Sequence, residues 1–392
     1  SKAMEPVQLS LRLVCCMIYN YVWKMDRMTK KTNVSVLGAT GLVGQNYIRL
    51  LSNHPWFDVV DVAASPRSAG KRYIEAVGDT WLMPDKMPSS VENLVVRDVQ
   101  NLDEFPVGIQ CIFSAMDLPI KNDTSNLEFE YAGKGYPVIS NSSANRWTSD
   151  VPMIIPEINA DHADIIPIQQ TNRGLPKNGF VAVKPNCSLQ TYLVTLTALE
   201  EAGFPVDQVH VTTLQALSGG GKKVLMAQEF KENVIPFISG EEEKTEKEPL
   251  KILGRITESG IENTDRIEIS SICTRVPVID GHTAVVSINF KNKKPSLDMI
   301  KSIWKNFKSI PQIEQFPMAP EVPIYYFEEE NRPQPRMDCD LGKGMAISVG
   351  RLAEDKFFDI RYVALSHNII RGAAGGAILT AELLVHKGYI HL

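Results

Sequence analysis

The chain has 392 residues, 44% hydrophobic and 22% charged, with a formal net charge of −5. That length can bury a core without disulfide or metal staples, and the composition is that of an ordinary soluble globular protein. An acidic balance argues against a nucleic-acid partner over the whole surface, while leaving room for a local basic pocket. Cys15, Cys16, Cys111, Cys187, Cys273 and Cys339 are scattered, with no C-x-x-C pair and no Cys/His cluster at zinc spacing. This predicts free thiols in a reducing compartment and no metal.

Residues 1–31 read as an N-terminal extension. VQLSLRLVCCMIYNYVW, from Val7 to Trp23, is apolar, but Arg12 interrupts it and it is short for a membrane span. It lacks the basic start and small-residue cleavage site of a signal peptide. Met28 is a reasonable native start, so no membrane partner and a cytoplasmic location are expected; targeting or anchoring is the lesser alternative.

The fold signal begins next. Asn33 to Leu37 is a short apolar run ending in glycine, as a buried strand does. Leu42, Val43, Tyr47, Ile48 and Leu51 then follow helical spacing, and Val59 to Ala64 is a second buried strand. Together they form a βαβ unit, the opening of a doubly wound nucleotide-binding domain. Further strands are expected at Leu94–Val96, Cys111–Ala115 and Val138–Ser140. After about Pro156, His210–Gln215, Ile267–Arg275 and Thr283–Phe290 alternate apolar and polar residues, which predicts an antiparallel sheet with two unlike faces. GMAISVGRLAEDKFFDIRYVAL reads as a hairpin turning near Ala353 to Lys356. SHNIIRGAAGGAILTAELLVHKG reads as a closing helix whose small residues allow tight packing against the first domain. EEEKTEKE, Glu241 to Glu248, is on its own a solvated charge run. The fold class is therefore α/β, a Rossmann-type domain followed by an α+β domain.

GATGLVG, with Gly38, Thr40, Gly41, Leu42, Val43 and Gly44, places a G-x-x-G-x-x-G loop between a strand and a helix. The first glycine permits a tight turn and the second lets backbone approach a pyrophosphate. The third allows close helix–strand packing, and the free amides at the helix start face the phosphates. Asp61 lies too early in the second strand to hold a ribose 2′-hydroxyl. The strand instead runs out into Ser65, Arg67 and Ser68, a hydroxyl and guanidinium set suited to a 2′-phosphate. NADP is predicted over NAD.

KPNCSLQTYLVTLTALEEAG puts Cys187 in the first turn of an amphipathic helix capped by Asn186. Amides and positive charge at a helix start lower a thiol pKa, which makes a nucleophile at neutral pH. Beside a nicotinamide, such a thiolate suits aldehyde–acyl interconversion through a thioester. His282, after a glycine and before a strand, is the candidate base, with Arg275 seven positions earlier. Gly219, Gly220 and Gly221, in LQALSGGG after Ser218, let backbone lie against a flat nicotinamide ring.

GATGLVG, PNCS, LQALSGGG, EPLKILG and the R-x6-H pair, in this order, resemble the aspartate-semialdehyde dehydrogenase family over nearly the whole chain from about Thr32, most closely its archaeal and fungal branch. The resemblance implies Cys187 as acyl-accepting nucleophile, His282 as general acid/base and Gln215 as the group positioning the thioacyl intermediate. It further implies Arg275 on the substrate carboxylate, Glu248 on its amino group, Lys251 and Arg146 on phosphate, and Asn186 lining the site. Ser218, Gly219 and Gly220 join the cofactor set. The expected domains are 32–157 with 365–392 for NADP, and 158–364 for catalysis and dimerisation on a largely antiparallel mixed sheet. A homodimer or homotetramer follows, with aspartyl-β-phosphate as small-molecule substrate, on the route to lysine, threonine and methionine. A malonyl-CoA reductase or N-acetyl-glutamyl-phosphate reductase on the same scaffold is the nearest rival. A glyceraldehyde-phosphate dehydrogenase is disfavoured because S-C-T-T-N is absent. An NADP-sensing protein without chemistry is disfavoured because Cys187 and His282 are both present.

Overall fold

Strand β1 (Thr32–Leu37) lies inside a six-stranded parallel sheet, where its nearly continuous burial suits a strand covered on both faces. In this computed structural model residues 31–230 and 232–391 are described. The apolar extension, Met28, Cys15 and Cys16 lie outside the described residues. The chain leaves β1 through the glycine loop, forms helix α1 (Leu42–Leu51) and returns as β2 (Phe57–Ala64), parallel to β1. β3 (Arg97–Asp98), β4 (Cys111–Ser114), β5 (Pro137–Ser140) and β6 (Phe180–Val183) complete the order β3-β2-β1-β4-β5-β6. Helix α2 (Lys121–Gly133) joins β4 to β5. The order reverses between β1 and β4, so the crevice beyond their carboxyl ends is where a ligand binds in such a sheet.

Two expectations are corrected here. Leu94–Val96 is not a strand: Val95 makes one bridge to Arg72 and is 59% exposed, and the pairing begins at Arg97. The parallel sheet also continues beyond residue 157, because Phe180–Val183, four buried residues too short to show a period, pairs with β5.

The second sheet contains β7 (Val206–Gln215). A small ribbon follows, β8 (Arg255–Ile256) with β9 (Ile261–Glu262), and then β10 (Glu268–Arg275) and β11 (His282–Phe290). β12 (Ile324–Phe327), β13 (Ile347–Glu354) and β14 (Ile360–Ser366) give the order β10-β7-β11-β14-β13-β12. β7–β11, β11–β14 and β13–β14 are antiparallel, while β7–β10 and β12–β13 are parallel. The hairpin turns after Glu354, where Asp355 accepts from the Phe357 and Phe358 amides.

Helices α3 (Leu193–Glu201), α4 (Glu241–Ile252) and α5 (Leu297–Asn306) pack on this sheet. α3 is not amphipathic: Leu193 through Leu199 are all buried. The reason lies in α5, whose Trp304 covers the outer side and donates to the Thr195 carbonyl at 3.0 Å. The charge run Glu241–Glu248 is helix, not loop. The closing segment forms a π-helical turn, Ile370–Ala374, and helix α6 (Gly375–His386), buried from Gly375 to Val385 within the core of the first sheet. Among the described residues no helix is long and apolar enough to cross a membrane.

Candidate active site

The residues Lys184 to Cys187 follow directly from β6. The Asn186 amide donates to Glu248 Oε2 at 2.6 Å, and its Oδ1 accepts from the Ser188 amide at 2.8 Å. Cys187 therefore stands at the entrance of a 3-10 turn, Ser188–Thr191, that precedes α3, and not within the first turn of one long helix. So short a turn contributes little dipole. Burial raises the thiol above its ordinary range, Glu241 adds to this, and Lys184, Arg146 and Arg275 pull it back without prevailing. The expectation of a thiol depressed by a helix terminus is thus corrected: in the free protein burial wins.

His282 opens β11 with Nε2 3.3 Å from the Cys187 sulfur. Its Nδ1 accepts the Ala216 amide at 3.0 Å. The neutral ring consequently carries its proton on Nε2, facing sulfur. Burial, reinforced by Arg275, pushes His282 down to about 3, so the ring is neutral at working pH. In this tautomer Nδ1 is engaged by the Ala216 amide and the other ring nitrogen faces the sulfur. Gly219 lies against the ring: a Cβ there would be 2.8 Å from His282 Cε1 and 3.0 Å from Arg275 Nη1. Gly219→Ala should therefore displace the imidazole and cut kcat by roughly 10²-fold with little change in melting temperature. Steady-state kinetics beside a thermal melt would check this, and wild-type kcat would refute it.

Cys187, Asn186, Gln215, Arg146 and Arg275 line one cavity of about 350 Å³, with Leu42 and Val43 of the glycine loop on one wall and Ser218, Gly219 and Gly220 on another. The same cavity is lined by Glu241 and Lys244, which sequence reasoning missed. Glu241 accepts from Gln215 Nε2 at 3.2 Å, Asn186 Nδ2 at 3.0 Å and Lys244 Nζ at 2.8 Å. Burial works against its charge, but Lys244, Gln215 and Asn186 outweigh it and hold the carboxyl below its usual range. Among the described residues the buried Arg146 Nε has no partner, which makes it a donor suited to an anion entering the cavity.

Two implied residues lie elsewhere. Glu248 is wholly buried behind the cavity and accepts Arg146 Nη1 at 2.9 Å. Lys251 spends its ammonium on the carbonyls of Arg146, Thr148 and Val151 at 2.7–2.8 Å. Both are supports, not cavity groups. On a helix, positions 241, 244, 248 and 251 share one face. Only the first turn of α4 reaches the cavity, and because Glu248 and Lys251 repeat the same i,i+3 Glu-x-x-Lys spacing, spacing alone could not tell the two pairs apart.

The glycine loop fits a dinucleotide. Gly38 has φ +75°, and a Cβ on Gly44 would meet the Gly38 carbonyl oxygen at 2.2 Å. Gly41 precedes α1 with no side-chain cap, so the first-turn amides are left for an anion. The Thr40 carbonyl accepts from Lys222 Nζ at 2.9 Å, which ties the loop to the LQALSGGG segment. Asp61 is consumed by Arg97 and Ser35. Ser65, Arg67 and Ser68 lie in a turn after β2, Ser65 and Arg67 exposed and Ser68 half-buried, outside the cavity that holds Cys187. Cys339, Asp340 and His367 also converge, but His367 Nδ1 accepts the Ile369 amide at 3.2 Å. Its proton is then on Nε2, toward Asp340, leaving no ring lone pair for a cation.

The family model for the semialdehyde dehydrogenase NAD-binding domain matches residues 33–166, and that for the semialdehyde dehydrogenase dimerisation domain matches residues 196–371. The aspartate-semialdehyde dehydrogenase of Archaeoglobus fulgidus is 40% identical over 358 residues, 91% of this chain and 99% of that protein. The enzyme of the same name from Aspergillus fumigatus is 40% identical over 366 residues, 92% of this chain and 99% of that protein. The crystal structure of aspartate semialdehyde dehydrogenase with NADP from Candida albicans superposes with a TM-score of 0.83 at 36% identity, covering 92% of this chain and 100% of the other. With matches of this identity and extent, the chain belongs to the aspartate-semialdehyde dehydrogenase family.

Proposed function

We propose that the protein reduces aspartyl-β-phosphate to aspartate semialdehyde with NADPH, reversibly, through a thioester on Cys187. The observation that carries this reading is the Cys187–His282 contact of 3.3 Å in a cavity that also presents arginines and borders the dinucleotide loop. The relatives' shared name and the NADP in the Candida albicans structure support it. Arg67, at the exposed turn after β2, where Asp61 is already held by Arg97 and Ser35, is the residue for the 2′-phosphate.

Arg275 holds the substrate carboxylate, Glu241 the amino group, and Arg146 with Lys244 the phosphate. The Cys187 thiolate attacks the acyl carbon, the carbon–sulfur bond forms, and phosphate leaves toward Arg146 and Lys244. NADPH, when bound at the glycine loop, supplies the hydride that reduces the thioester. The tetrahedral alkoxide on Cys187 then collapses, its carbon–sulfur bond breaks, and the thiolate returns to the His282 Nε2–H. Gln215 steadies the thioacyl oxygen. An ionised Glu241 gives a free ammonium its partner, which malonyl-CoA and N-acetyl-glutamyl phosphate cannot use. The second sheet, within the region matched by the dimerisation model, is the face for a homodimer, or a homotetramer built from it, in the cytoplasm.

The test is phosphate-dependent NADP reduction with aspartate semialdehyde. Arg275→Ala should raise KM by about tenfold or more while changing kcat less, as loss of a charge-assisted bond to the substrate would. No phosphate-dependent activity, or equal rates with succinate semialdehyde, would overturn the assignment.

A further inference from the structure

We propose that Lys222 is the cation for the cofactor's pyrophosphate: it reaches from the chain after β7 to the start of α1 and clamps the dinucleotide from the side of the second sheet. The inference rests on the reading of the glycine loop as the NADP site and assigns a residue that this loop does not itself contain.

The loop offers backbone alone. Its helix begins at Leu42 with no side-chain cap, and Leu42, Val43, Gly44 and Gln45 put no cation in the first turn. Free amides at a helix start amount to about half a positive charge, whereas a dinucleotide brings two ionised phosphates to that point. The cations on the elements around the loop are already paired: Lys121 with Asp117 at 2.7 Å, Arg49 with Asp85 at 3.8 Å and Arg72 with Glu75 at 2.6 Å.

Lys222 differs from these. Its Nζ donates to the Thr40 carbonyl at 2.9 Å, one residue before the Gly41 cap, and to Thr80 Oγ1 at 3.1 Å. Both acceptors are neutral, and an ammonium has three donors, so one is left over. Among the described residues Lys222 forms no ion pair. Burial lowers its pKa from the ordinary lysine value, and no carboxylate opposes this. A half-buried cation without a counter-ion, beside a helix start that favours anions, is one half of a charge pair, and the pyrophosphate supplies the other.

Local structure delivers the side chain there. Gly221 has φ +74°, a region that side chains disfavour, and it turns the chain from the 3-10 segment Leu217–Gly220 into the short helix Gly221–Met226. Lys222 follows directly after the wall of the cavity formed by Gly219, Gly220 and Gly221. The loop side is held as well: Gln45 Nε2 donates to the Thr40 carbonyl at 3.1 Å and to the Thr80 carbonyl at 2.9 Å. The two residues that receive Lys222 are thus fixed to each other without a ligand.

The test reads binding before turnover. NADPH is titrated against the full chain by its fluorescence, with two competitors: 2′-phospho-ADP-ribose, which keeps the pyrophosphate but lacks nicotinamide, and adenosine 2′-phosphate, which lacks both. Lys222→Met should weaken NADPH and 2′-phospho-ADP-ribose by about tenfold or more, as loss of a charge-assisted contact would, and leave adenosine 2′-phosphate within about twofold. The KM for NADP should rise likewise, with the KM values for aspartate semialdehyde and phosphate little changed. Lys222→Arg should recover most of the affinity. Lys222→Gln, which keeps a donor for the Thr40 carbonyl but no charge, should bind as weakly as Lys222→Met and covers the case in which that variant fails to fold. Lys223→Met, at the exposed neighbouring lysine, should bind as the wild type does. Wild-type affinity in a folded Lys222→Met or Lys222→Gln, an equal loss in Lys223→Met, or a rise confined to the KM for phosphate would overturn the proposal. A wild-type protein that binds no NADPH would overturn the cofactor reading itself, so the two failures are distinguishable.

Discussion

Cys187→Ala will reduce phosphate-dependent turnover by roughly four to six orders of magnitude, the scale on which enzymes lose rate when a covalent nucleophile is removed. The physical ground is narrow. The cavity gathers cations and the His282 Nε2–H around one sulfur, 3.3 Å from the ring. Without that atom no carbon–sulfur bond forms, and the remaining groups only bind. Cys187 is half-buried, so its truncation should change stability by less than about 1 kcal/mol. Cys187→Ser should be nearly as inactive, because nothing in the cavity ionises a hydroxyl at neutral pH. Steady-state rates and intact mass after incubation with substrate provide the check. Turnover within tenfold of wild type, or an acyl adduct on the alanine variant, would refute the nucleophile assignment.

The largest stability effect is expected at Glu248, behind the cavity and outside the reacting groups. Glu248 is fully buried and bridges two parts of the site, accepting Arg146 Nη1 at 2.9 Å and the Asn186 amide at 2.6 Å. Glu248→Ala leaves a 7%-exposed guanidinium side chain with the Asn141 carbonyl as its remaining acceptor. Breaking a buried pair on one side costs about 3–5 kcal/mol, because the surviving charge is neither solvated nor paired. The loop that carries Cys187 loosens with it, so kcat falls too. Replacing both partners, Arg146→Met with Glu248→Met, should recover much of the stability and none of the activity. That contrast separates scaffold from chemistry. Chemical denaturation of the wild type and the two variants reads it, and a loss under about 1 kcal/mol in Glu248→Ala would mean the pair does not brace the site.

Two of the acidic residues of α4 show where sequence reasoning stops. Glu241 and Glu248 stand on one face of the helix, two turns apart, and both belong to one charge run. Nothing local distinguishes them. The way α4 docks across β10 sends its first turn into the cavity and its later turns behind it. The same holds for Lys244, which lines the cavity, against Lys251, which is spent on three carbonyls.

What the sequence determined alone was set by short-range sterics. A glycine at 38 with φ +75° and one at 44 against its carbonyl are required within a seven-residue stretch, so the nucleotide loop is legible before any fold is known. The βαβ unit around it and the alternating strands of the second sheet are legible for the same reason, since their periods lie within one element. Protonation was left to the tertiary structure. Ala216 sets the His282 tautomer from 66 residues away. Burial, a property of the whole packed chain, reverses the sign of the shift expected for Cys187. A proton's position depends on solvation and on partners brought together by folding, and neither is encoded in the neighbouring residues.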